Sequence, residues 1–241
     1  MIRHGLGRSI VKPDSSASAV AASILLAPCT ALDRATLLRG VTELAARDAV
    51  LGDIVTRLGP PPLWGRRPGF ATLVRIVLEQ QVSLASAAAV YARLQQRLGG
   101  TVTAEGVRAF GTRGLRANGF TRQKARYVHG LATSIVDGEF SLTRIARLTD
   151  EAALEALDAA PGVGPWTAGI YMLMALRRPD VWPPGDLGLH KSIAETHKLT
   201  RVPSSAQASE FALRWRPWRA VAARLLWHSY LHVRNRSGAW Q

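Results

Sequence analysis

Asp186 stands where the sequence predicts the start of a helix. It follows Pro183-Pro184-Gly185 and precedes residues whose apolar side chains recur at helical spacing. An aspartate in that position caps the first helical turn and lies at the positive end of the helix dipole, which suits an ionised carboxylate. Such a carboxylate can stabilise positive charge on a reacting group and orient a water molecule. It can also serve only as a cap, which is the more common role of an aspartate in this position.

A second candidate site is the turn Pro161-Gly162-Val163-Gly164, which joins two short predicted helices within residues 154–169. Gly162 and Gly164 can take positive φ and let the backbone approach a ligand closely, and Pro165 suits a first helical turn. The N–H groups exposed at the start of the second helix can hold a DNA phosphate without reading base sequence. Most such turns only connect helices, so the turn alone leaves both interpretations open.

The elements that must position these residues are predicted to be helices. Apolar residues recur at spacings of three and four, alternation typical of strands is scarce, and there is no internal repeat. Residues 1–31 are expected to form a poorly ordered or peripheral extension, and residues 32–241 the folded domain. About ten helices are predicted, the clearest over 70–79, 84–98, 104–109, 123–137, 150–159, 166–176, 187–197, 205–214 and 218–232.

The composition favours a polyanionic partner. The 241 residues contain 31 Lys and Arg against 17 Asp and Glu, a net charge of +14, so nucleic acid is the first expectation and an anionic membrane surface the second. The single cysteine, Cys29, excludes an internal disulfide, a four-cysteine zinc site and a four-cysteine iron–sulfur cluster in this chain. No apolar run is long enough to predict a transmembrane helix. A cytoplasmic protein associated with the nucleoid is expected.

The basic residues fall into two groups, which predict a surface that tracks DNA phosphates and binds more weakly as salt rises. Charge runs are more often simply solvated, and only Glu210 offsets the second group along the sequence. His190 and His197 are too poorly spaced for a metal site without a third ligand, and we interpret them as residues on a helix surface. The first group is Arg113, Arg116, Arg122, Lys124 and Arg126, and the second is Arg214, Arg216, Arg219, Arg224, Arg234 and Arg236.

Together these motifs resemble the helix-hairpin-helix (HhH-GPD) DNA glycosylase superfamily, and most of all its 3-methyladenine DNA glycosylase II branch. The resemblance covers residues from about 37 to the C-terminus and includes the spacing of 20 residues from Trp166 to Asp186. It implies an all-α fold of two helical subdomains, with the hairpin facing a DNA-binding cleft between them. The matching segments are Leu157 with 161–168, Pro184-Gly185-Asp186, residues 78–83, residues 119–125, residues 215–219 and Trp227.

The resemblance implies that Asp186 is the catalytic carboxylate and that alkylated purines are the substrates. Breaking a purine N-glycosidic bond builds positive charge on the deoxyribose, which a fixed carboxylate stabilises. N3- and N7-alkylated purines already carry positive charge and leave readily, so one carboxylate suffices. Trp166 occupies the position that carries a nucleophilic lysine in the bifunctional glycosylase/lyase branches. A monofunctional enzyme that leaves an abasic site is therefore expected.

The same resemblance implies roles for the tryptophans. Trp166 and Trp227 are expected to line the base pocket, where their electron-rich faces suit a cationic base. Ile170 replaces an aromatic residue found in some relatives, so the pocket is expected to have one stacking surface fewer. For Trp215 and Trp218 we predict core packing.

The expected partner is double-stranded DNA that contains damaged bases, bound by a monomer. Gln81 matches the position from which the family fills the space left by the extruded base, although Gln80 or Gln81 can also be a plain polar residue at a helix end. No cofactor and no side-chain metal site are expected, but family hairpins often hold a monovalent cation on backbone carbonyls near Ala159 to Val163. The expected DNA-binding residues are Gln81, Gly162, Val163, Gly164, Arg122 and Lys124.

Two alternatives remain open from the sequence. The first is a mismatch or uracil glycosylase of the same fold, and the second is a non-catalytic protein that recognises damaged DNA.

Overall fold

The structure, a computed structural model, describes residues 31–234, and all regular structure in this range is helical. The all-α prediction is confirmed. The predicted extension lies outside the described residues except for its last position. The helices are α1 Arg34–Arg47, α2 Ala49–Leu58, α3 Phe70–Glu79, α4 Leu84–Arg97, α5 Ala104–Ala117, α6 Arg122–Val136, α7 Leu142–Ile145, α8 Asp150–Asp158, α9 Pro165–Met174, α10 Leu187–Thr196, α11 Ser205–Ala212 and α12 Arg219–Val233, with a 3₁₀ turn at Leu213–Trp215.

Polar caps explain where most of these helices begin. In each case the side-chain oxygen of the cap accepts the N–H of the third residue that follows, and a cap of this kind contributes about 1 kcal/mol. The capping residues are Asp33, Ser83, Thr103, Thr121, Ser141, Thr149, Asp186 and Ser204.

The predicted helix over 104–109 is too short. α5 continues to Ala117 through a kink at Gly111, whose φ of 69° lies in the left-handed region. Glycine can take this conformation without steric cost, so the chain bends there and resumes its helical path.

Two hydrophobic cores lie within residues 31–234, in agreement with two helical subdomains. The first core gathers α1, α2 and the helices from α8 onward, and the second gathers α4, α5 and α6. α3 contributes to both, because Leu73 and Ile76 face the first core while Val74 and Val77 face the second. A helix that is apolar around most of its circumference is buried on most sides. The DNA-binding cleft itself stays a prediction.

α9 runs through the first core, and every residue from Thr167 to Met174 is buried. The Tyr171 hydroxyl accepts the N–H of Gly69 at 2.9 Å, which joins α9 to the turn before α3. At the other end of α9 lies the hairpin turn. The position of the hairpin is thus fixed by a buried helix.

α12 is also buried around most of its length, and this overturns one prediction. Arg224 is fully buried and donates hydrogen bonds to the carbonyl oxygens of Leu63, Leu173 and Ala220 at 2.8, 2.8 and 3.0 Å. Burial, with a contribution from Arg177, lowers the pKa of Arg224 to about 9, so the side chain is charged at neutral pH. Arg224 therefore joins α12 to its neighbours and is not part of a phosphate-binding surface.

Other members of the second basic group are paired with carboxylates. Arg219 donates to Asp180 at 2.9 and 3.0 Å, and Arg234 donates to Glu195 at 2.6 Å. The expectation that Glu210 alone offsets this group is wrong, because Asp180 and Glu195 are distant in sequence but adjacent in the fold. Arg236 lies outside the described residues. No helix within residues 31–234 is long and apolar enough to cross a membrane.

Candidate active site

Asp186 caps α10, as the sequence predicts. The preceding Gly185 has a φ of 80°, which lets the chain turn sharply into the helix. The Asp186 Oδ1 atom accepts the N–H of Leu189 at 2.9 Å. Asp186 is only partly buried, and its carboxylate is anchored at the start of the helix.

Two indole N–H groups also donate to the Asp186 carboxylate. Trp166 Nε1 lies 3.0 Å from Oδ2, and Trp227 Nε1 lies 3.1 Å from Oδ1. A carboxylate offers about four lone-pair positions, two on each oxygen. Oδ1 therefore has both positions filled, by Leu189 and Trp227, while Oδ2 keeps one position for a further donor. The three N–H groups fix the plane of the carboxylate and leave Oδ2 as its available atom.

Two glycines allow this arrangement through close packing. A Cβ atom on Gly169 of α9 would lie 2.7 Å from Pro183 Cα, in the loop that carries Asp186. A Cβ atom on Gly188 would lie 3.1 Å from Asp186 Oδ1. Both distances are shorter than ordinary contacts, so larger residues at these positions would displace the carboxylate or its loop.

The two tryptophans differ in exposure. Trp166 is half-buried and packs against the first core, whereas Trp227 is only 2% exposed and belongs to that core. The sequence does not indicate that both indoles bind the carboxylate. The pocket roles of Trp166 and Trp227 stay predictions. Ile170 is 1% exposed and lies in the same core.

Trp215 and Trp218 pack in the core, as predicted. They are 1% and 7% exposed, and their indole N–H groups donate to Asp48 and Glu43 respectively. These hydrogen bonds join the segment between α11 and α12 to α1 and to the start of α2.

His190 is buried, so its interpretation as a surface residue is wrong. It lies one turn after Asp186 on α10, is 4% exposed, and its Nε2 has no hydrogen-bond partner among residues 31–234. Burial lowers the pKa of His190, although the nearby negative charge of Asp186 acts in the opposite direction. The sequence places His190 on α10 but gives no sign of which side of α10 packs against α12.

The hairpin turn has the shape that the sequence predicts at Gly162, whose φ is 76° and whose missing side chain leaves room for Tyr127. Gly164 differs, because its φ is −89° and a Cβ atom there would meet nothing within 4 Å. Val163 is 2% exposed and its N–H donates to Ala160 O, so its side chain anchors the turn. Gly164 thus leaves an open approach to the start of α9.

The start of α9 lacks a capping side chain. Gly164 is the N-cap and Pro165 the first helical residue, so no side-chain oxygen of the described chain accepts the first N–H groups. Uncapped N–H groups at the positive end of a helix dipole attract anions. The geometry therefore suits a bound phosphate.

Gln80 and Gln81, which the sequence does not distinguish, have different environments. The Gln80 amide Nε2 donates to Gly162 O at 3.1 Å and to Thr167 Oγ1 at 2.8 Å. Gln81 is exposed and has a φ of 57°. Of the two side chains, Gln81 is the one free to reach a ligand. Its role in filling the space left by an extruded base stays a prediction.

The predicted DNA-binding cations also differ. Lys124 Nζ donates to Leu78 O at 2.7 Å and to Gln80 O at 2.8 Å, so two of its three donors are committed to the protein backbone. Arg122 is exposed at the start of α6. Within residues 31–234 it forms no ion pair, and neither do the exposed Arg113, Arg116 and Arg126. Arg122 remains available for a phosphate, and Lys124 has a structural role that the sequence does not indicate.

Comparison with known families gives one clear match. Residues 74–217 match the family described as the HhH-GPD superfamily of base excision DNA repair proteins. The matched range contains the hairpin, Asp186, Trp166 and the loop with Gln81. Trp227 lies beyond it.

Curated relatives with similar sequences are named as DNA-3-methyladenine glycosylases. Glycosylase 2 of Escherichia coli is 28% identical over 203 residues, which are 78% of this chain and 68% of that protein. A Bacillus subtilis glycosylase is 31% identical over 107 residues, which are 44% of this chain and 35% of the relative. The chain thus matches only about a third of the length of the Bacillus relative.

Solved structures share the fold. The Schizosaccharomyces pombe 3-methyladenine DNA glycosylase Mag1, solved in complex with abasic DNA, superposes with a TM-score of 0.69 at 26% identity and covers 79% of this chain and 96% of its own. A Bacillus halodurans DNA-3-methyladenine glycosidase gives the same TM-score and identity, with 81% and 91% of the two chains covered.

Proposed function

The chain belongs to the HhH-GPD superfamily of base excision DNA repair proteins, and from this membership and the geometry at Asp186 we propose that it is a monofunctional DNA glycosylase that releases alkylated purines. The observation that carries the proposal is the carboxylate of Asp186, held by three N–H donors with Oδ2 left available. The names of the relatives supply the substrate class.

In the proposed reaction a water molecule replaces the base at C1′ of deoxyribose. As the C1′–N bond breaks, its electron pair leaves with the base and positive charge develops on the sugar. The carboxylate of Asp186 stabilises that charge, and its Oδ2 accepts a hydrogen bond from the attacking water. The oxygen of the water bonds to C1′, its proton passes to Oδ2, and an abasic site remains.

The choice of an alkylated purine rests on charge and on Trp166. An N3- or N7-alkylated purine is cationic, and the bond breaks without prior protonation because the departing base becomes neutral. Trp166 is half-buried and its indole N–H bonds to the carboxylate, so its π face would be the one to contact such a cation. Trp227 would complete the pocket only on its indole edge, because its ring is buried.

DNA would be held by groups that do not read sequence. The uncapped start of α9 would bind one phosphate through backbone N–H groups, and the exposed Arg122 would bind another. Gln81 would enter the duplex in place of the extruded base. Together these contacts would present the sugar of the extruded nucleotide to Asp186.

A monovalent cation on the hairpin is a further proposal of the same kind. Of the carbonyls from Ala159 to Val163, Ala160 O already accepts Val163 N–H and Gly162 O accepts the Gln80 amide. The other carbonyls of the turn are those that would bind the ion, whose charge would add to the attraction for a phosphate.

The test is a panel of duplexes that each contain one lesion, with released bases identified by mass spectrometry. Methylated purines should be released by the wild type, and Asp186→Asn should lose at least a hundredfold of that rate while it still binds DNA. Asparagine caps a helix as well as aspartate does, so the variant should fold. Release of uracil alone would establish the alternative glycosylase, and binding without release would establish a non-catalytic protein.

The monofunctional assignment has its own test, because a lyase forms a covalent imine with the abasic sugar. Trp166 cannot form one. Reduction with borohydride during the reaction should trap no covalent complex between protein and DNA, and a trapped complex would overturn the assignment.

A further inference from the structure

The loop between α3 and α4 carries a strained residue at its tip. Gln81 has a φ of 57°, in the left-handed region that residues other than glycine rarely adopt, and its side chain is exposed. A conformation of this kind persists only where its surroundings enforce it. The contacts of the residues just before Gln81 show what enforces it.

One set of contacts comes from α6, in the second subdomain. Lys124 is half-buried and its ammonium group donates to Leu78 O and Gln80 O, at the end of α3 and just beyond it. A cation in this position satisfies carbonyls that the end of a helix leaves free. Burial lowers the pKa of Lys124, and no carboxylate within residues 31–234 pairs with it.

A second set comes from the hairpin, in the first subdomain. The Gln80 side-chain amide donates to Gly162 O and to Thr167 Oγ1, and Thr167 is 1% exposed. Glu79 accepts two hydrogen bonds from Arg66, at 2.8 and 2.9 Å, and both side chains are largely buried. Every residue from Leu78 to Gln80 is thus held by a polar contact, and Gln81 follows directly.

We propose that Gln80 and Lys124 are positioning residues that hold Gln81 ready to enter the duplex. Gln80 bonds to the turn that would bind a phosphate. Binding of the DNA backbone at that turn would therefore be coupled to the position of Gln81. The two residues therefore serve extrusion of the base and not hydrolysis of the glycosidic bond. This inference rests on the proposed function, since it assigns the step that precedes the chemistry.

The experiment compares Gln80→Leu and Lys124→Met with the wild type. Both variants keep the bulk of the side chain and remove the donor. Gln95→Leu is the matched control, because Gln95 lies in the last turn of α4 and its amide donates to Gly100 O at 2.8 Å, just beyond that helix and not to the loop. The duplex carries a lesion next to 2-aminopurine, whose fluorescence rises when its neighbour leaves the stack.

At saturating protein, the wild type and Gln95→Leu should raise the fluorescence, and Gln80→Leu and Lys124→Met should lose most of that rise. Base release from a well-paired lesion should fall at least tenfold in these two variants. Release from the same lesion in a mispair should fall much less, because a mispaired base costs less free energy to extrude. A larger rate loss on the paired lesion than on the mispaired one indicates a positioning role, whereas a variant that fails to fold would lose activity equally on both.

Equal losses on both lesions, or an unchanged fluorescence rise in both variants, would overturn the inference. A wild type that unstacks the base but releases none would overturn the proposed function and leave the fluorescence test of Gln80 and Lys124 standing. A wild type that binds DNA without any fluorescence rise would overturn the inference whatever its activity.

Discussion

The indole Nε1 of Trp227 lies 3.1 Å from Oδ1 of Asp186, although the two residues are 41 positions apart in the sequence. Trp227 is only 2% exposed, so a residue of the core orients the carboxylate of a residue that is only partly buried. The donor comes from α12 and the acceptor from the start of α10. The orientation of Asp186 therefore depends on how these two helices pack.

Replacement of Trp227 by phenylalanine should reduce the rate of base release about 10- to 100-fold. The change removes one hydrogen bond to a charged group, which typically contributes about 1.5–3 kcal/mol. Single-turnover rates on a methylated-purine duplex measure the effect. The KM for DNA should change little, because Trp227 is buried and cannot touch the backbone of the duplex.

Trp218→Phe is the matched control for this prediction. It removes a similar indole hydrogen bond, to Glu43 at 2.5 Å, from a ring of similar burial that makes no hydrogen bond to Asp186. It should lower the melting temperature by a comparable amount and leave the single-turnover rate within twofold of the wild type. Similar rate losses in the two variants would show that the effect of Trp227 is only one of stability.

A methyl group at residue 169 should disturb the site without touching it. In Gly169→Ala the new Cβ would lie 2.7 Å from Pro183 Cα, so the loop that carries Asp186 must move. Overpacking of this kind costs about 1–3 kcal/mol. We expect a lower melting temperature together with a loss of at least tenfold in the single-turnover rate.

Gly130→Ala shows what the same change does where there is room. Gly130 is also helical, on α6, and its new Cβ would lie 3.6 Å from Pro161 Cβ, an ordinary contact. Alanine is the better helix former by about 1 kcal/mol, so this variant should be as stable as the wild type or more so, with an unchanged rate. A Gly169→Ala protein that behaved in the same way would contradict the tight packing at Pro183.

Local features of the site could be predicted from the sequence, and its long-range contacts could not. The cap at Asp186 and the positive φ at Gly162 follow from neighbouring residues, as do the bounds of α3, which the structure matches at both ends. The hydrogen bond from Trp227 depends on the rotation of α12 about its axis. A helix that is apolar on nearly every side has no periodicity from which that rotation can be read.

The same limit explains the incorrect predictions for Arg224 and His190. A charged or polar side chain usually marks the solvent face of a helix, and the sequence gives no reason to treat these two as exceptions. Arg224 is satisfied by carbonyl groups that lie 51 to 161 positions away or on its own helix. Such acceptors are present in every chain and leave no signature in the sequence.

Burial of His190 predicts that the protein becomes less stable in mild acid. Because burial lowers the pKa of His190 below its usual value, the unfolded chain binds the proton at a higher pH than the folded chain does. The stability contributed by neutral His190 is thus complete above about pH 6.5 and is lost as the pH falls towards the folded value. Burial lowers the pKa of His197 and His228 in the same direction.

Chemical denaturation of wild type and His190→Gln between pH 5 and pH 8 measures this contribution. At pH 8 the difference between the two proteins reports only packing. Below pH 6.5 the free energy of unfolding of the variant should fall less steeply, by up to about 1.4 kcal/mol per pH unit. Parallel curves over the whole range would mean that His190 binds its proton equally well in the folded and unfolded states.

Arg122 should contribute to DNA binding through one phosphate. It is exposed at the start of α6 and forms no ion pair within residues 31–234, so a phosphate would be its first counter-charge. Each phosphate neutralised by a cation adds about −0.9 to the slope of log affinity against log salt. Arg122→Ala should therefore weaken binding to all duplexes alike and make that slope shallower by about 1.

Arg108→Ala is the matched control, because Arg108 is equally a surface arginine but donates to Asp137 at 2.8 Å. An arginine that is paired with a carboxylate neutralises no DNA phosphate and so releases no counterion from the DNA, and the slope should not change in this variant. Fluorescence anisotropy with a labelled duplex at several salt concentrations gives both slopes. If Arg122→Ala keeps the wild-type slope, the phosphate contact lies elsewhere, and Arg113, Arg116 and Arg126 become the residues to replace.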